Sequence, residues 1–507
     1  MKLFAKTIAT LLGVLVLLPG CDVIDRTEPS TSISQEVALT NPDAVLGVRA
    51  SMYDHFHDQV LSTDWLLGPS SQADNTYFRS SQTRHITLNL NELRAGNGSA
   101  GWDASTDPPG TFWDAINDAN LLINGVEDGV LSEEQASRLE AEGRFIRALV
   151  MHHMARIFGY EPGMTPNSGQ GSGFNLSIPI RTEPTTSLDD ADSQPRATAS
   201  DVYSQLVTDL ETASDLFSNV GSDGAPFFPS EAAAQALLAR VHLYQRNWGP
   251  ANQAAQNALD LGADLAGPDE LEAIFAEGSG GNPEAIFTIA TDASTESAGV
   301  NDAIAAYTSK EWMAQIPTQD LISTYESDDA RLDAWYGPCF NDITGTAPGG
   351  CDNVNNDGLE LQKYQGDKDL AANQYADDYI HLRAAEMVLI QAEARLNTSG
   401  VAAAINRLND LRSQRNASQL DPANFTEDSA RDEILAERRR ELVAEGHRYF
   451  DLKRLGRDIQ KSAGKLDDPA DDRTDDPVPF EDPRILDDIP PGQLEVDSEL
   501  VQNPGFN

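Results

Sequence analysis

The sequence has 507 residues, with 36 Lys and Arg against 81 Asp and Glu, and therefore a formal net charge of −45. Because phosphate affinity comes from lysine and arginine, this balance excludes an electrostatic nucleic-acid binder. A hydrophobic content of 40% is enough for a large core and excludes a disordered acidic tail. The acidic residues are spread over the whole chain, which favours a protein of high-salt environments over an ordinary acidic extracytoplasmic protein.

The first residues have the features of an export signal. Lys2 and Lys6 form a basic start, and residues 8–18 are an apolar stretch too short to span a bilayer as a helix. The segment Leu18-Pro-Gly-Cys21, with the small Gly20 directly before the cysteine, resembles a bacterial lipobox. We therefore expect Cys21 to carry a lipid anchor, with a plain secretory signal and a chance cysteine as the alternative.

This interpretation divides the chain into three parts. Residues 1–20 are predicted to be a signal peptide, and residues 21–42, which are polar and rich in turn formers, a lipidated N-terminus and tether. Residues 43–507 are predicted to form the folded domain.

Helical periodicity dominates that domain. Ser132 and Gln135 match a capping box that opens a helix predicted to end at Phe158, and a helix at 112–126 precedes it. Further helices are predicted at 202–217, 231–246, 251–261, 379–396 and 401–415. Their pairing at intervals of about 34 residues indicates a mostly α fold of tetratricopeptide-like helix pairs.

Four long segments between the helices are predicted to be irregular. They are rich in Gly, Pro, Asn and Asp, hold most of the tryptophans, and comprise residues 60–109, 159–195, 278–377 and 462–507. Loops of this length in a compact body are usually functional. We therefore expect a helical scaffold that presents an elaborated loop face.

The two remaining cysteines, Cys339 and Cys351, lie in one of these loops. An even pair that closes a short loop in an exported protein is expected to form a disulfide. The acidic stretch 353–358 is similar to the first half of an EF-hand loop, but Tyr364 stands where a bidentate Glu is needed, so a solvated turn is favoured over a calcium site. We predict no metal and no cofactor.

Four further motifs are more specific. Residues 437–456 read Glu-Arg-Arg-Arg-Glu-Leu-Val-Ala-Glu-Gly-His-Arg-Tyr-Phe-Asp-Leu-Lys-Arg-Leu-Gly and closely resemble the C-terminal signature of the SusD/RagB family of surface nutrient-binding lipoproteins. The segments 142–149, 382–394 and 500–506 resemble other motifs of that family in the family's order, and the strand motif at 282–287 joins them. The likeness covers essentially the whole chain, although we associate no loop like that of Cys339 and Cys351 with the family.

The resemblance implies that residues 43–507 form a single SusD-like, α-rich domain of helix pairs with irregular loops and a few short strands. It implies a protein that binds glycans or peptides and has no enzymatic activity. It further implies a partner, a SusC-like TonB-dependent transporter in the outer membrane, over which the lipid-anchored protein lies on the exterior side. Three alternatives remain: a peptide-binding import component, a helical-repeat scaffold that binds only proteins, and a secreted hydrolase with paired carboxylates in its loops, which the resemblance disfavours.

The signature segment could also be interpreted as catalytic. Glu441 and Glu445 are i,i+4 neighbours, and His447 follows, so acid–base chemistry is conceivable. However, six arginines and lysines occur in the same turns. Structural ion pairs are therefore the preferred interpretation.

Ligand binding is predicted on the loop face. A sugar ring stacks on an aromatic side chain, while its hydroxyls need amide or carboxylate partners. We predict Tyr77, Trp102 and Trp312 as stacking residues and Asp74 and Asn75 as hydroxyl partners.

Five other aromatic residues could bind a ligand or pack in the core. Trp65, Trp335 and Tyr336 are further loop candidates, for which core packing is the alternative. Trp113 and Trp248 are assigned to helix packing. An uncharged glycan fits the charge of −45 better than a uronate polymer.

Overall fold

The computed structural model describes residues 39–57, 60–78, 112–186, 193–275, 282–291, 303–309, 315–338, 359–365, 377–460 and 477–506. These residues are mostly helical, and the strands are few and short. The predicted mostly α fold with a few short strands is therefore confirmed.

The α-helices of the described residues are α1 Pro42–Asp54, α2 Trp65–Gln72, α3 Phe112–Asn120, α4 Glu133–Phe158, α5 Ala199–Val220, α6 Glu231–Tyr244, α7 Trp248–Asp260, α8 Ile304–Thr308, α9 Gln319–Ile322, α10 Ala330–Trp335, α11 Ala384–Ser399, α12 Val401–Ser413, α13 Glu427–Glu441, α14 Arg448–Arg454 and α15 Pro491–Val496. The strands are β1 Thr76–Phe78, β2 Ala285–Ile289, β3 Gln315–Pro317, β4 Tyr336–Pro338, β5 Leu359–Leu361 and β6 Tyr379–Arg383.

Helix α4 begins as its sequence predicts. The Ser132 side chain accepts a hydrogen bond from the Gln135 backbone N–H, and the Gln135 side chain accepts one from the Ser132 N–H. This reciprocal capping satisfies two backbone donors that the first turn would leave unpaired. The helix ends at Phe158, also as predicted.

The long helices pack as consecutive pairs. Helix α3 contacts α4, α4 contacts α5, α5 contacts α6, and α6 contacts α7. Helix α11 then packs against both α7 and α12, and α13 covers α11 and α12. Small residues such as Ala251, Ala255 and Ala258 are buried at these contacts, which lets the helix axes approach closely. The result is one continuous scaffold of helix pairs.

The prediction of a helix at 379–396 is wrong at its start. Tyr379–Arg383 forms strand β6, which pairs antiparallel with β2, and the helix begins only at Ala384. All five residues of β6 are buried. A fully buried strand has no alternating pattern, so its sequence cannot be told from the buried helix that follows.

Three of the segments predicted to be irregular contain helices. Helix α2 lies within residues 60–109, α8, α9 and α10 lie within 278–377, and α15 lies within residues 462–507. Helix α2 shows no amphipathic period because seven of its eight residues are buried. Helices α9 and α10 have only four and six residues, and they start at the N-caps Thr318 and Asp329.

The strands form three separate two-stranded antiparallel sheets: β1 with β3, β2 with β6, and β4 with β5. In the first sheet, Phe78 pairs with Gln315 and Thr76 with Pro317. In the third, Pro338 pairs with Leu359. These pairings fix the points where long connecting segments leave and rejoin the described fold.

Candidate functional site

The β1–β3 sheet marks the place where two predicted ligand-binding segments meet the scaffold. Residues 79–111 follow Phe78 directly, and residues 310–314 precede Gln315. Because Phe78 pairs with Gln315, these segments start and end at one edge of the sheet. We call this edge the β1–β3 edge.

Asp74 and Asn75 lie just before β1 and are bound by two arginines of the signature segment. Arg448 donates from Nε and Nη2 to the two carboxylate oxygens of Asp74, at 2.7 Å each. Arg439 donates from Nε to Asn75 Oδ1 at 2.9 Å and from Nη2 to the Asp74 carbonyl at 2.7 Å. On the other side, the Thr318 N–H donates to the Asn75 carbonyl. The β1–β3 edge is thus fixed to α13 and α14.

The burial of these two residues differs. The Asp74 side chain retains 14% of its exposure, whereas Asn75 is fully buried. Burial alone would raise the pKa of Asp74, but the hydrogen bond from Arg448 and the charges of Arg448 and Arg439 lower it. Asp74 is therefore held as a carboxylate, the stronger hydrogen-bond acceptor. The Asn75 Nδ2 amide has no hydrogen-bond partner among the described residues.

Below this edge lies a buried network of charged side chains centred on Glu441. Its Oε1 accepts from Arg383 and Arg415, both at 2.8 Å. Its Oε2 accepts from Arg331 at 2.9 Å and from Arg415 Nε at 3.0 Å. Glu284 accepts from the same Arg383 and Arg415, at 2.8 and 2.6 Å. Three arginines thus share two carboxylates in the core.

The network extends to the strands through Glu445. Arg383 binds both carboxylate oxygens of Glu445, at 2.6 and 2.8 Å. Lys363, which follows β5, donates to Glu445 and to the carbonyls of Glu441 and Val443. Desolvation lowers the pKa of Lys363 to about 8, while the neighbouring Glu445 opposes that shift.

This network joins three motifs that are far apart in the sequence. Glu284 belongs to the motif 282–287, Arg383 to the motif 382–394, and Glu441 to the motif 437–456. Burial alone would raise the pKa of Glu441, but Arg415, Arg383 and Arg331 lower it well below its ordinary value. A carboxyl group that stays ionised in this way is a poor proton donor or acceptor at neutral pH. The interpretation of the signature as structural ion pairs is therefore confirmed.

His447 also lacks the properties of a general base. It is buried, and desolvation lowers its pKa well below the ordinary value, with the nearby arginines adding to the effect. The preceding Gly446 has a φ of 76°, and a Cβ there would come within 2.7 Å of the Trp65 carbonyl. The turn 442–447 therefore packs tightly against helix α2.

Three aromatic loop candidates prove to be core residues. Trp65 lies in α2, is 3% exposed, and stacks on His153 with ring centroids 3.7 Å apart. Trp335 and Tyr336 are 0% and 4% exposed. Trp113 and Trp248 pack partly against the core, as predicted for helix residues.

The other predicted site residues are not all described. Trp102, Trp312, Cys21, Cys339 and Cys351 lie outside the described residues, as does the calcium-like stretch 353–358. Tyr77 is in β1, opposite Ile316. The ligand-binding role of Asp74, Asn75, Tyr77, Trp102 and Trp312 stays a prediction.

The arginines that hold the β1–β3 edge were missed as site residues. The sequence shows that Arg439 and Arg448 belong to the signature, but their partners Asn75 and Asp74 lie more than 360 positions away. No local signal connects them. Within the described ranges, no helix is long and apolar enough to cross a membrane, and no group of three or more His, Cys, Asp or Glu side chains could hold a metal ion.

Comparison with known proteins gives a consistent answer. A family model described as the SusD family matches residues 272–506, and a second, described as starch-binding and associating with the outer membrane, matches residues 58–243. The chain belongs to the SusD family. The first range contains the motifs 282–287, 382–394 and 437–456, which contribute to the buried network, and the second contains the helix motif 142–149.

Relatives of this SusD-family chain match over its whole length. A SusD-like protein of Formosa agariphila is 26% identical over 543 residues, covering 97% of this chain and all of the relative. The crystal structure of a SusD superfamily protein from Bacteroides thetaiotaomicron has a TM-score of 0.76 at 22% identity, covering 92% of this chain and all of that one. A SusD-like carbohydrate binding protein from Bacteroides vulgatus has a TM-score of 0.66 at 20% identity, covering 83% and 85%. These structures share the fold.

Proposed function

We propose that this SusD-family protein is an outer-membrane lipoprotein, anchored at Cys21 and facing the exterior, that captures glycans. It passes them to a SusC-like TonB-dependent transporter and catalyses no reaction itself. The residues predicted to bind the glycan are Tyr77, Trp102 and Trp312 by stacking, and Asp74 and Asn75 by hydrogen bonds.

The observation that carries this proposal is the pairing of Phe78 with Gln315. Residues 79–111, which include Trp102, follow Phe78, and only two residues separate Trp312 from Gln315. The two segments therefore meet the described fold at one edge, and we propose that Trp102, Trp312 and Asp74 bind the ligand together. Aromatic faces together with a fixed acceptor are what a sugar ring and its hydroxyls require.

The network below the edge supports a rigid site. Sugar hydroxyls are recognised by geometry, so the groups that bind them need fixed positions. Arg439 and Arg448 fix the residues before β1, and Lys363 fixes the residues after β5. The names of the relatives, one of which is called a carbohydrate binding protein, agree with a glycan as the ligand.

An uncharged glycan fits this chain better than a uronate polymer. The formal charge is −45, and a polyanion approaching such a surface is repelled. Stacking contributes about 0.5–1.5 kcal/mol per ring beyond burial, so tight binding needs several sugars at once. Neutral oligosaccharides of increasing length should therefore bind with increasing affinity.

The transporter and the anchor are tested in native membranes. A tagged full chain, purified in a mild detergent, should recover a large β-barrel protein, and a Cys21→Ala variant should appear in the soluble fraction. Protease added to intact cells should cleave the wild-type chain. Recovery of the protein alone, or membrane retention of Cys21→Ala, would refute the corresponding part of the proposal.

A further inference from the structure

A cleft of about 390 Å³ lies between three elements that the β1–β3 edge does not include. Helix α3 forms one wall, residues 179–185 form the second, and α15 with the residues up to Leu500 forms the third. Its polar and aromatic lining residues include Trp113, Asn117, Arg181, Glu183, Gln493 and Asp497. This volume is in the range of small-molecule sites.

Two asparagine side chains of α3 hold the second wall in place. Asn117 accepts from the Thr185 N–H at 2.7 Å and donates to its carbonyl at 3.3 Å. Asn120 donates to the carbonyls of Arg181 and Glu183, at 3.2 and 3.1 Å. Two adjacent parts of the cleft are therefore fixed before any ligand arrives, which lowers the entropic cost of binding.

The Asn120 side chain is itself fixed from the core. Arg147 donates from Nη1 to Asn120 Oδ1 at 2.7 Å, and its other nitrogens bind Asp209 at 2.6 and 2.9 Å. All three side chains are buried. The cleft thus rests on a rigid ion pair between α4 and α5.

The inner surface of the cleft combines an aromatic ring with polar groups. Trp113 is only partly buried, and the guanidinium carbon of Arg181 lies 5.9 Å from its ring centroid. Glu183 is exposed and Gln493 is partly exposed. One aromatic face, one carboxylate and one amide form the set that a pyranose ring and its hydroxyls need.

The charge of the lining selects among ligands. Among the described residues that line the cleft, Asp114, Glu183 and Asp497 are acidic and Arg181 alone is basic. A uronic acid or another anion would meet an excess of carboxylates, so an uncharged ligand is favoured.

We propose that this cleft is a second saccharide site, which binds a neutral mono- or disaccharide by stacking on Trp113 and by hydrogen bonds to Glu183 and Gln493. The ligand class rests on the proposed function, but the residues are separate from Trp102 and Trp312. Such a site would hold one part of a long glycan while another part occupies the β1–β3 edge. Two linked contacts raise the overall affinity above that of either alone.

The test uses the full chain with Cys21→Ala, titrated with neutral disaccharides: maltose, cellobiose, laminaribiose and mannobiose. Binding is measured by saturation-transfer NMR and calorimetry. In a Trp102→Ala/Trp312→Ala background, at least one disaccharide should still bind, and Trp113→Ala should weaken it at least tenfold. Gln493→Ala and Glu183→Gln, which change a partly exposed and an exposed residue, should each weaken it several-fold. Trp248→Ala is the matched control, because Trp248 packs partly against the core on a different helix.

Two results would overturn the inference. One is that no disaccharide binds the Trp102→Ala/Trp312→Ala background, and the other is that Gln493→Ala and Glu183→Gln both bind as their parent does. Tighter binding of glucuronate disaccharides or of peptides at Trp113 would also overturn it. Failure of the proposed β1–β3 site would give a different result. Long oligosaccharides would then bind the wild type no better than they bind Trp102→Ala/Trp312→Ala, whereas the binding that depends on Trp113 would persist.

Discussion

Arg448 binds both carboxylate oxygens of Asp74 at 2.7 Å, and this pair connects helix α14 with the residues that lead into β1. The two residues are 374 positions apart. The signature segment of the family therefore has a physical role at the candidate site, because it fixes the edge from which the predicted ligand-binding segments emerge.

Asp74→Asn should lower the free energy of unfolding by about 2–3 kcal/mol. The change leaves Arg448, which is 9% exposed, without its charged partner, and breaking a buried pair costs about 3–5 kcal/mol. The remaining exposure of Asp74 reduces that cost. Urea unfolding at fixed salt measures it. The control Asp328→Asn changes an exposed carboxylate and should cost less than about 0.5 kcal/mol. Equal losses in the two variants would contradict this account of the pair.

Glu441→Gln should be more damaging. Glu441 accepts hydrogen bonds from Arg331, Arg383 and Arg415 in a site that water does not reach. Removing its charge leaves three guanidinium groups with too few anions, at a cost of about 3–5 kcal/mol. We expect poor folding or a large drop in the urea midpoint.

The matched control for Glu441→Gln lies on the same helix. Glu427 of α13 pairs with Arg431 at 2.9 Å, but its side chain is 65% exposed. Exposed i,i+4 pairs contribute about 0.3–0.5 kcal/mol. If Glu427→Gln destabilised the protein as much as Glu441→Gln, the central position of Glu441 in the network would be refuted.

The ion pairs of the signature segment and the start of α4 are the features that the sequence predicts best. The mixture of acids and arginines in 437–456 indicates ion pairs, and the capping box at Ser132 gives the start of α4. Both signals are local in the chain. The partners Asp74 and Glu284 are not local, and only the fold brings them to the signature.

Acid should weaken the fold from about pH 6.5 downward because of buried neutral histidines. Desolvation lowers the pKa of His381 to about 3, and burial likewise lowers the pKa of His152, His153 and His447. Between the folded and the unfolded pKa, the unfolded chain binds more protons, so stability rises with pH there. It is lost as the pH falls from 6.5.

His381→Phe isolates one of these protons. The ring of His381 packs against Phe56, Trp65 and Phe287, so a phenyl ring suits the site. Below about pH 5.5, the unfolding free energy of the variant should fall less steeply than that of the wild type, by about 1.4 kcal/mol per pH unit. Urea unfolding from pH 7 to 4.5 measures the two slopes. Parallel slopes would show that His381 titrates normally.

Salt should stabilise the protein. The buried charged side chains of the described residues comprise 15 basic and 15 acidic groups, so the net charge of −45 lies outside this core. Raising NaCl from about 0.1 to 1 M shortens the Debye length from about 10 to 3 Å, which screens surface repulsion while the buried pairs persist. The urea concentration at the unfolding midpoint should rise with NaCl, and KCl at the same concentration should raise it by the same amount. A falling midpoint would contradict the prediction of a high-salt surface.

The errors of prediction have a common cause. The sequence predicts a loop at Trp65, but Trp65 stacks on His153 of α4. It also predicts a helix at β6, but β6 pairs with β2. Each position is decided by a partner distant in the sequence. Completely buried segments also lack the alternation from which strands and helices are distinguished.

The most direct test of glycan capture at the β1–β3 edge is calorimetric titration of the Cys21→Ala chain with neutral oligosaccharides of four to eight sugars. We expect binding to the wild type, a several-fold loss of affinity with Trp102→Ala or Trp312→Ala, and no loss of affinity with Trp248→Ala, at unchanged melting temperatures. If both tryptophan variants bind as the wild type does, or if no oligosaccharide binds while peptides do, the central claim is refuted.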